Sequence, residues 1–214
     1  MKAMKIACMA VALAMSTSSC LRIMELRASD DIVEREIDTG VVHSVYASSE
    51  VTVICVPDST KERVIVRGSE NVLKALNLEY DMSGRLSVSM SHGIGFRYDS
   101  REQKPVVHVF SGKVTRFTSI QGAFIEVEDT LISSSPIFAE ALSGGVVRLN
   151  CVKTPSARIM AYSRGSVHVE DLISGRLESQ AYSKAFISIS GTTSMADIQT
   201  HNGFITTTNL IINK

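Results

Sequence analysis

Apolar and polar residues alternate in short runs along most of this chain, the period-two pattern of half-buried strands. Val41 to Tyr46, Val51-Thr52-Val53-Ile54 and Val64-Ile65-Val66 are rich in β-branched residues, and Leu86-Ser87-Val88-Ser89-Met90 alternates without a break. Polar turns such as Asp58-Ser59-Thr60-Lys61 separate them. A single stretch has helical spacing: Ser69 as a cap, then Glu70 to Leu76 with Val72, Leu73 and Leu76 on one face. Residues 91–105, with Gly93, Gly95 and Pro105, read as a loop between two halves.

From Val106 onward the alternation becomes a repeat. A small residue, any residue and a branched aliphatic recur as Ala123-Phe124-Ile125, Gly145-Val146-Val147, Gly165-Ser166-Val167, Ala185-Phe186-Ile187 and Gly203-Phe204-Ile205. The small residues lie 22, 20, 20 and 18 positions apart, and Ala-Leu/Tyr-Ser precedes the middle three at Ala141, Ala161 and Ala181. Alternation points Ile125, Val147, Val167, Ile187 and Ile205 to one side together. One coil of this length cannot bury its own apolar side, whereas a stack of coils buries a continuous column. The small residue suits a tight bend where a larger Cβ would clash. The Leu-rich pattern of leucine-rich repeats and the Gly-Asp nonapeptides of calcium β-rolls are both missing. The expected fold is all-β, a parallel β-helix or solenoid with coils of about 20 residues; an antiparallel β-sandwich is the alternative.

The N-terminus carries a different signal. Lys2 and Lys5 precede an apolar run from Ile6 to Met15, and Ser16-Thr17-Ser18-Ser19 leads to Cys20. The run is too short to span a bilayer, which takes about 20 residues, so residues 1–19 read as an export signal peptide. Cys20 resembles the lipidated cysteine of bacterial lipoprotein signals, with Thr17 where Leu is usual; ordinary cleavage beside a bystander cysteine is the other reading. Residues 20–35 read as a tether, and residues 36–214 as one domain, with N-terminal strands and a loop over 36–105 and repeat coils over 106–214. This predicts an exported protein, an outer-membrane lipoprotein facing the periplasm or the cell surface.

Removal of residues 1–19 leaves 20 basic against 22 acidic side chains with no block of like charge. Nucleic-acid binders show a basic face, so no nucleic-acid partner is expected, and membrane contact is expected only through a lipid anchor. Cys55 and Cys151 lie in different halves, and two buried free thiols are expected in preference to a bridge.

Candidate chemistry is sparse. His43, His92, His108, His168 and His201 have no metal-ligand spacing, and no metal or cofactor is expected. Gly93-Ile94-Gly95 lacks the Gly-Lys-Ser/Thr of a phosphate loop, and no Gly-x-Ser-x-Gly elbow occurs. Glu126, Glu128 and Asp129 share one rung, and Glu170 and Asp171 another. Alternation turns Glu126 and Glu128 outward together, which reads as a solvated face more readily than as a glycosidase pair. No catalytic residue is assigned. Tyr162 and Tyr182 hold equivalent positions beside Leu142, and Ala161 and Ala181 would face inward, so the tyrosines form a candidate outward binding face. His168 and His201 meet only if the stacking register allows it.

The order of Val33-Glu34-Arg35-Glu36-Ile37, Val51-Thr52-Val53, Val64-Ile65-Val66, Gly68-Ser69-Glu70-Asn71-Val72-Leu73 and Leu86-Ser87-Val88, followed by Ser143-Gly144-Gly145 and Ser163-Arg164-Gly165, resembles the head-GIN-domain family. That family is described as adhesin heads of autotransporters and is common among exported Gram-negative proteins. The resemblance implies a right-handed parallel β-helix and no particular activity. Ser183-Lys184-Ala185 and His201-Asn202-Gly203 depart from the Ser-Gly element, which predicts irregular last coils. No membrane-barrel segment is read after Lys214, so self-transport is not expected. The expected role is a non-catalytic, adhesin-like or structural module binding an unknown protein or glycan. A polysaccharide lyase or glycosidase built on a β-helix is the alternative, and an envelope-stress accessory protein a third reading.

Overall fold

The structure is a computed structural model, and it describes residues 24–57, 60 and 62–213. The export signal, Cys20 and most of the 58–61 turn lie outside the described residues. The first half contributes β1 (Met24–Arg27), β2 (Ile32–Ile37), β3 (Ser44–Ala47), β4 (Thr52–Val56), β5 (Arg63–Ser69), a single helical turn α1 (Glu70–Leu73), β6 (Leu76–Tyr80), β7 (Arg85–Met90) and β8 (Ile94–Arg97). The second half adds β9 (Val106–Phe110), β10 (Arg116–Ile120), β11 (Phe124–Ile132), β12 (Ile137–Leu142), β13 (Val146–Tyr162), β14 (Ser166–Tyr182), β15 (Phe186–His201), β16 (Phe204–Thr206) and β17 (Leu210–Ile212).

Most of these strands stack into a β-solenoid of about five turns with a spacing near 20 residues, while β1 and β8 form a separate two-stranded sheet and β2, β5 and β6 add antiparallel. Val147 pairs with Val167 in a parallel ladder, the arrangement that separates a solenoid from a sandwich. Each long strand bends around a whole coil. In β13 the buried positions are Val147 and Leu149, then Val152 and Thr154, then Ala157, Ile159 and Ala161. The alternation skips one extra residue at 150–151 and at 155–156, and those skips are the corners between three short flat faces.

Parallel stacking aligns the inward residues into columns. On the first face Val107, Val53, Ile125, Val147, Val167, Ile187 and Ile205 succeed one another. The last face carries Leu86, Val45, Phe117, Ala139, Ile159, Ser179 and Ile198. The Val, Leu, Ile and Phe members above the final coil are fully buried, each contributing about 1.5–3 kcal/mol relative to exposure. In the final coil Ile205 is only half-buried, and Ile198, Phe204, Ile211 and Ile212 are exposed.

Four features differ from the sequence reading. The stretch taken as a tether is built into the fold from Met24 onward: β1 pairs with β8 and β2 with β5. Side chains distant in sequence capture it. The Asn71 amide donates to Arg27 O at 2.8 Å and its oxygen accepts from Ser29 N at 2.9 Å, while Gln103 Nε2 donates to Ser29 O and to Asp30 Oδ1 at 3.3 and 3.2 Å. The helix is a single turn. Ser69 does not cap it but donates its hydroxyl to Ser29 O at 2.6 Å, and Leu76 opens β6 against β7. The loop expected over 91–105 contains β8 and a 3-10 turn over Arg101–Gln103. Nor are the strands of the first half separate from the coils, because β3, β4, β7 and β9 continue the columns.

Candidate functional site

Outward residues form rows just as the inward ones form columns, about 4.8 Å apart from coil to coil. Leu142, Tyr162, Tyr182 and His201 are in register on one row, and Tyr162 and Tyr182 occupy equivalent positions one coil apart, since Ala161 pairs with Ala181. Ala161 and Ala181 beside them are fully buried, so the tyrosine rings point to solvent. Those rings lie parallel, with centroids 5.1 Å apart at an interplanar angle of 7°. The His201 ring stacks on the other face of Tyr182 at 4.8 Å and 12°. The ring faces are thus largely occupied by one another, and edges and hydroxyls are what solvent meets. Tyr182 donates its hydroxyl to Gln180 Oε1 at 3.3 Å. Burial first, and then the neighbouring charges of Glu140, Tyr182 and Glu178 against an opposing Arg158, push the Tyr162 phenol above its usual value.

Two rows flank the tyrosines on the same face. One carries Glu140, Met160, Gln180 and Gln199, and the other Arg116, Phe138, Arg158, Glu178 and Asp197. The Arg116 guanidinium lies 4.5 Å above the Phe138 ring, and Arg158 pairs with Glu178 at 3.3 Å. These rows escaped the sequence reading, although their members recur at the coil spacing and a search for outward residues at that step would find them. A hydroxyl column was missed for the same reason: Ser174 Oγ donates to Thr193 Oγ1 at 3.0 Å, and Thr154 Oγ1 donates to backbone one coil before.

Each strand that carries these rows ends at a turn. Ser143 and Gly144, Ser163 and Arg164, and Ser183 and Lys184 all have positive φ. The following N–H closes back onto the residue before the turn, as Gly145 to Leu142, Gly165 to Tyr162 and Ala185 to Tyr182, at 2.8, 2.8 and 3.1 Å. Paired left-handed residues closed by such a bond make type I′ turns. The departure of Ser183-Lys184-Ala185 from the Ser-Gly element therefore leaves its turn unchanged. Only the last step is irregular, with Asn202 as its single left-handed residue. Stacked together, the turns line an open depression of about 1250 Å³.

The acidic rungs lie elsewhere. Glu126 is half-buried and pairs with Arg148 at 3.7 Å, and Glu128 and Asp129 are exposed at a corner. Arg148, His168 and Ser188 make one row, so His168 and His201 do not meet. Desolvation, with help from Arg148 and against Glu170, holds the His168 imidazole below its ordinary pKa. The unfolded chain therefore takes up a proton at His168 first as pH falls below about 6.5. Stability present above that value is lost on acidification toward the folded-state pKa. Urea midpoints measured from about pH 7.5 to 5.5 should fall, and His168→Gln should flatten part of that slope; an unchanged slope would remove His168 from the account.

Both remaining cysteines are free. Cys55 is buried and its thiol is pushed up to about 12, while Cys151 is half-exposed rather than buried, its Sγ 3.6 Å from Asp171 Oδ2. Iodoacetamide should label Cys151 in the folded protein and Cys55 only after denaturation, as peptide mass mapping would show.

A second groove, about 650 Å³, lies between the turn tips at Glu50 and Gln121 and the segment around β8, with Tyr98, Lys104 and Phe124 in its walls. Gly93-Ile94-Gly95 forms part of its rim. Among the described residues no group of three or more His, Cys, Asp or Glu side chains is placed to hold a metal ion.

A family model described as "Putative auto-transporter adhesin, head GIN domain" matches residues 43–214. The chain belongs to this family. Solved structures share the fold at low identity. A "putative adhesin" from Parabacteroides merdae aligns with TM-score 0.73 and 14% identity, covering 87% of this chain and 77% of that one. A "Putative lipid binding protein" from Parabacteroides distasonis gives 0.68 and 15%, with the same coverage. A "putative adhesin" from Bacteroides fragilis gives 0.57 and 13%, covering 87% of this chain and all of that one. At such identities the likeness concerns the fold. None of the curated proteins compared matches the chain.

Proposed function

We propose that the protein is an exported, non-catalytic binding module of the cell surface, which contacts an extended partner along the stacked coils. One observation carries this reading: outward side chains on consecutive coils stand in register, so a rigid core presents a flat surface of repeated chemistry. The adhesin names of family and structural neighbours support it. Tyr162 and Tyr182, with Gln180 and Gln199 beside them, contribute hydrogen-bonding edges more than open ring faces, which suits a polar partner surface.

The signal at residues 1–19 and Cys20 support anchoring of the mature chain by acylation of that cysteine. Acyl labelling tests this part, and a mature chain that is released without label removes the anchor.

For the binding role, the full chain on beads should be retained saturably on arrays of glycans and envelope proteins, and Tyr182→Asp should reduce retention. The same preparations should show no polysaccharide turnover. Sustained turnover that disappears in Glu126→Gln or Glu128→Gln would overturn the non-catalytic reading.

A further inference from the structure

The coil turns at 163–164 and 183–184 show an unusual choice of residue at their second central position. Type I′ turns favour glycine or asparagine at both central positions, because other residues pay about 1–2 kcal/mol for the left-handed backbone. Gly122 and Gly144 follow that preference at the second position, with φ of 77° and 81°. The next two turns instead carry Arg164 and Lys184, at φ of 66° and 64°. Two cations are therefore held in a disfavoured conformation on adjacent coils, at the position that Gly122 and Gly144 fill in the two turns before them and that Glu50, at φ of 59°, fills in the first.

Their surroundings suit an anion. The depression over the turns is lined by Ser143, Ser163, Ser183, Arg164, Lys184 and Asn202, with no carboxylate among the lining residues, and Phe204 closes one end. Among the described residues neither cation enters an ion pair, and the hydroxyls of Ser143, Ser163 and Ser183 have no hydrogen-bond partner within the protein. Phe204 is 68% exposed, so its ring, unlike those of the tyrosines, has an open face.

We propose that this turn edge binds an acidic polysaccharide. Arg164 and Lys184 hold a carboxylate or sulfate group, the serine hydroxyls and Asn202 meet sugar hydroxyls, and Phe204 packs against the apolar face of a sugar ring. The chain runs along the solenoid axis, because cations and hydroxyls repeat about every 4.8 Å in that direction. A near-neutral protein with two cations at the site favours a hydroxyl-rich ligand over a nucleic acid, whose binding draws on many phosphate contacts. The proposal rests on the reading of the protein as a surface-binding module, but uses a different edge from the tyrosine face.

The test is titration calorimetry on the full chain with a polyuronate oligosaccharide, a sulfated oligosaccharide and a neutral glucan of equal length. Binding to one or both acidic ligands, weakening with salt, and none to the glucan is expected; the two acidic arms separate carboxylate from sulfate. The Arg164→Gly/Lys184→Gly variant should lose about tenfold or more in affinity. Its thermal stability should match or exceed the parent's, because glycine suits these positions, so the loss cannot be assigned to unfolding. Absence of acidic-glycan binding, unchanged affinity in the variant, or equal binding of single-stranded DNA or anionic vesicles through the same residues would each overturn it. Failure here with retention in the Tyr182→Asp-sensitive bead assay intact would leave the broader reading standing.

Discussion

Gly165→Ala is expected to destabilise the protein by about 3 kcal/mol or more, one of the largest effects of a single methyl group anywhere in the chain. A Cβ at that position would sit 2.1 Å from Ala141 O, 2.4 Å from its carbonyl carbon and 2.9 Å from Leu142 N. All three obstacles are backbone of the preceding coil, so no side-chain rotation relieves them. Gly165 does not have a left-handed backbone; the penalty is pure crowding where one coil crosses another. Gly145 meets the same obstruction at Ser119 O, 2.3 Å away. The repeat also supplies its own control, since Ala185 occupies the equivalent place and is fully buried. Ala185→Gly should cost only about 1 kcal/mol, from lost burial and added chain entropy. Urea unfolding of both variants decides the matter, and a loss below about 1 kcal/mol for Gly165→Ala would mean that the coils separate more easily than close packing allows.

Ile125→Ala should cost about 3–4 kcal/mol, within the range for deleting most of a fully buried aliphatic side chain. Ile125 lies in the middle of the first-face column, between Val53 and Val147, and has no exposure. Ile205→Ala removes the same atoms from the half-buried end of that column and should cost below about 1.5 kcal/mol. The contrast tests the stack itself. In a solenoid each coil answers mainly to its neighbours, so a central defect breaks two interfaces and a terminal defect one. Equal losses at the two sites would contradict that nearest-neighbour behaviour.

The inward columns were legible because their cause is local: alternation and a coil-length step need no knowledge of distant partners. The outward direction of Tyr162 and Tyr182 followed from the same logic through Ala161 and Ala181. What stayed hidden depends on contacts between residues far apart. Asn71 and Gln103 convert an apparent tether into ordered chain through side-chain bonds to residues 27–30, and nothing near those residues announces it. The rows around Arg158 follow the coil step in the sequence, but their ion pair and cation–ring contact become visible only when the register is known. The I′ geometry at Arg164 and Lys184 was concealed because both residues contradict the usual sequence signature of that turn. The equivalent positions of the tyrosines are legible in the sequence, but the loss of free ring faces shows only in the 5.1 Å separation and 7° angle of the rings.

Alternation within each coil divides the chain into two sets of positions with separate duties. Inward residues answer to a crowded interior and tolerate little; each outward residue answers chiefly to one neighbour above and one below. The turn residues at 164 and 184 are the extreme case, since exchanging them leaves every column untouched. Selection can therefore rewrite the charge along that edge one coil at a time, with folding held constant. The row of turn side chains then behaves as an editable address carried on a fixed spine.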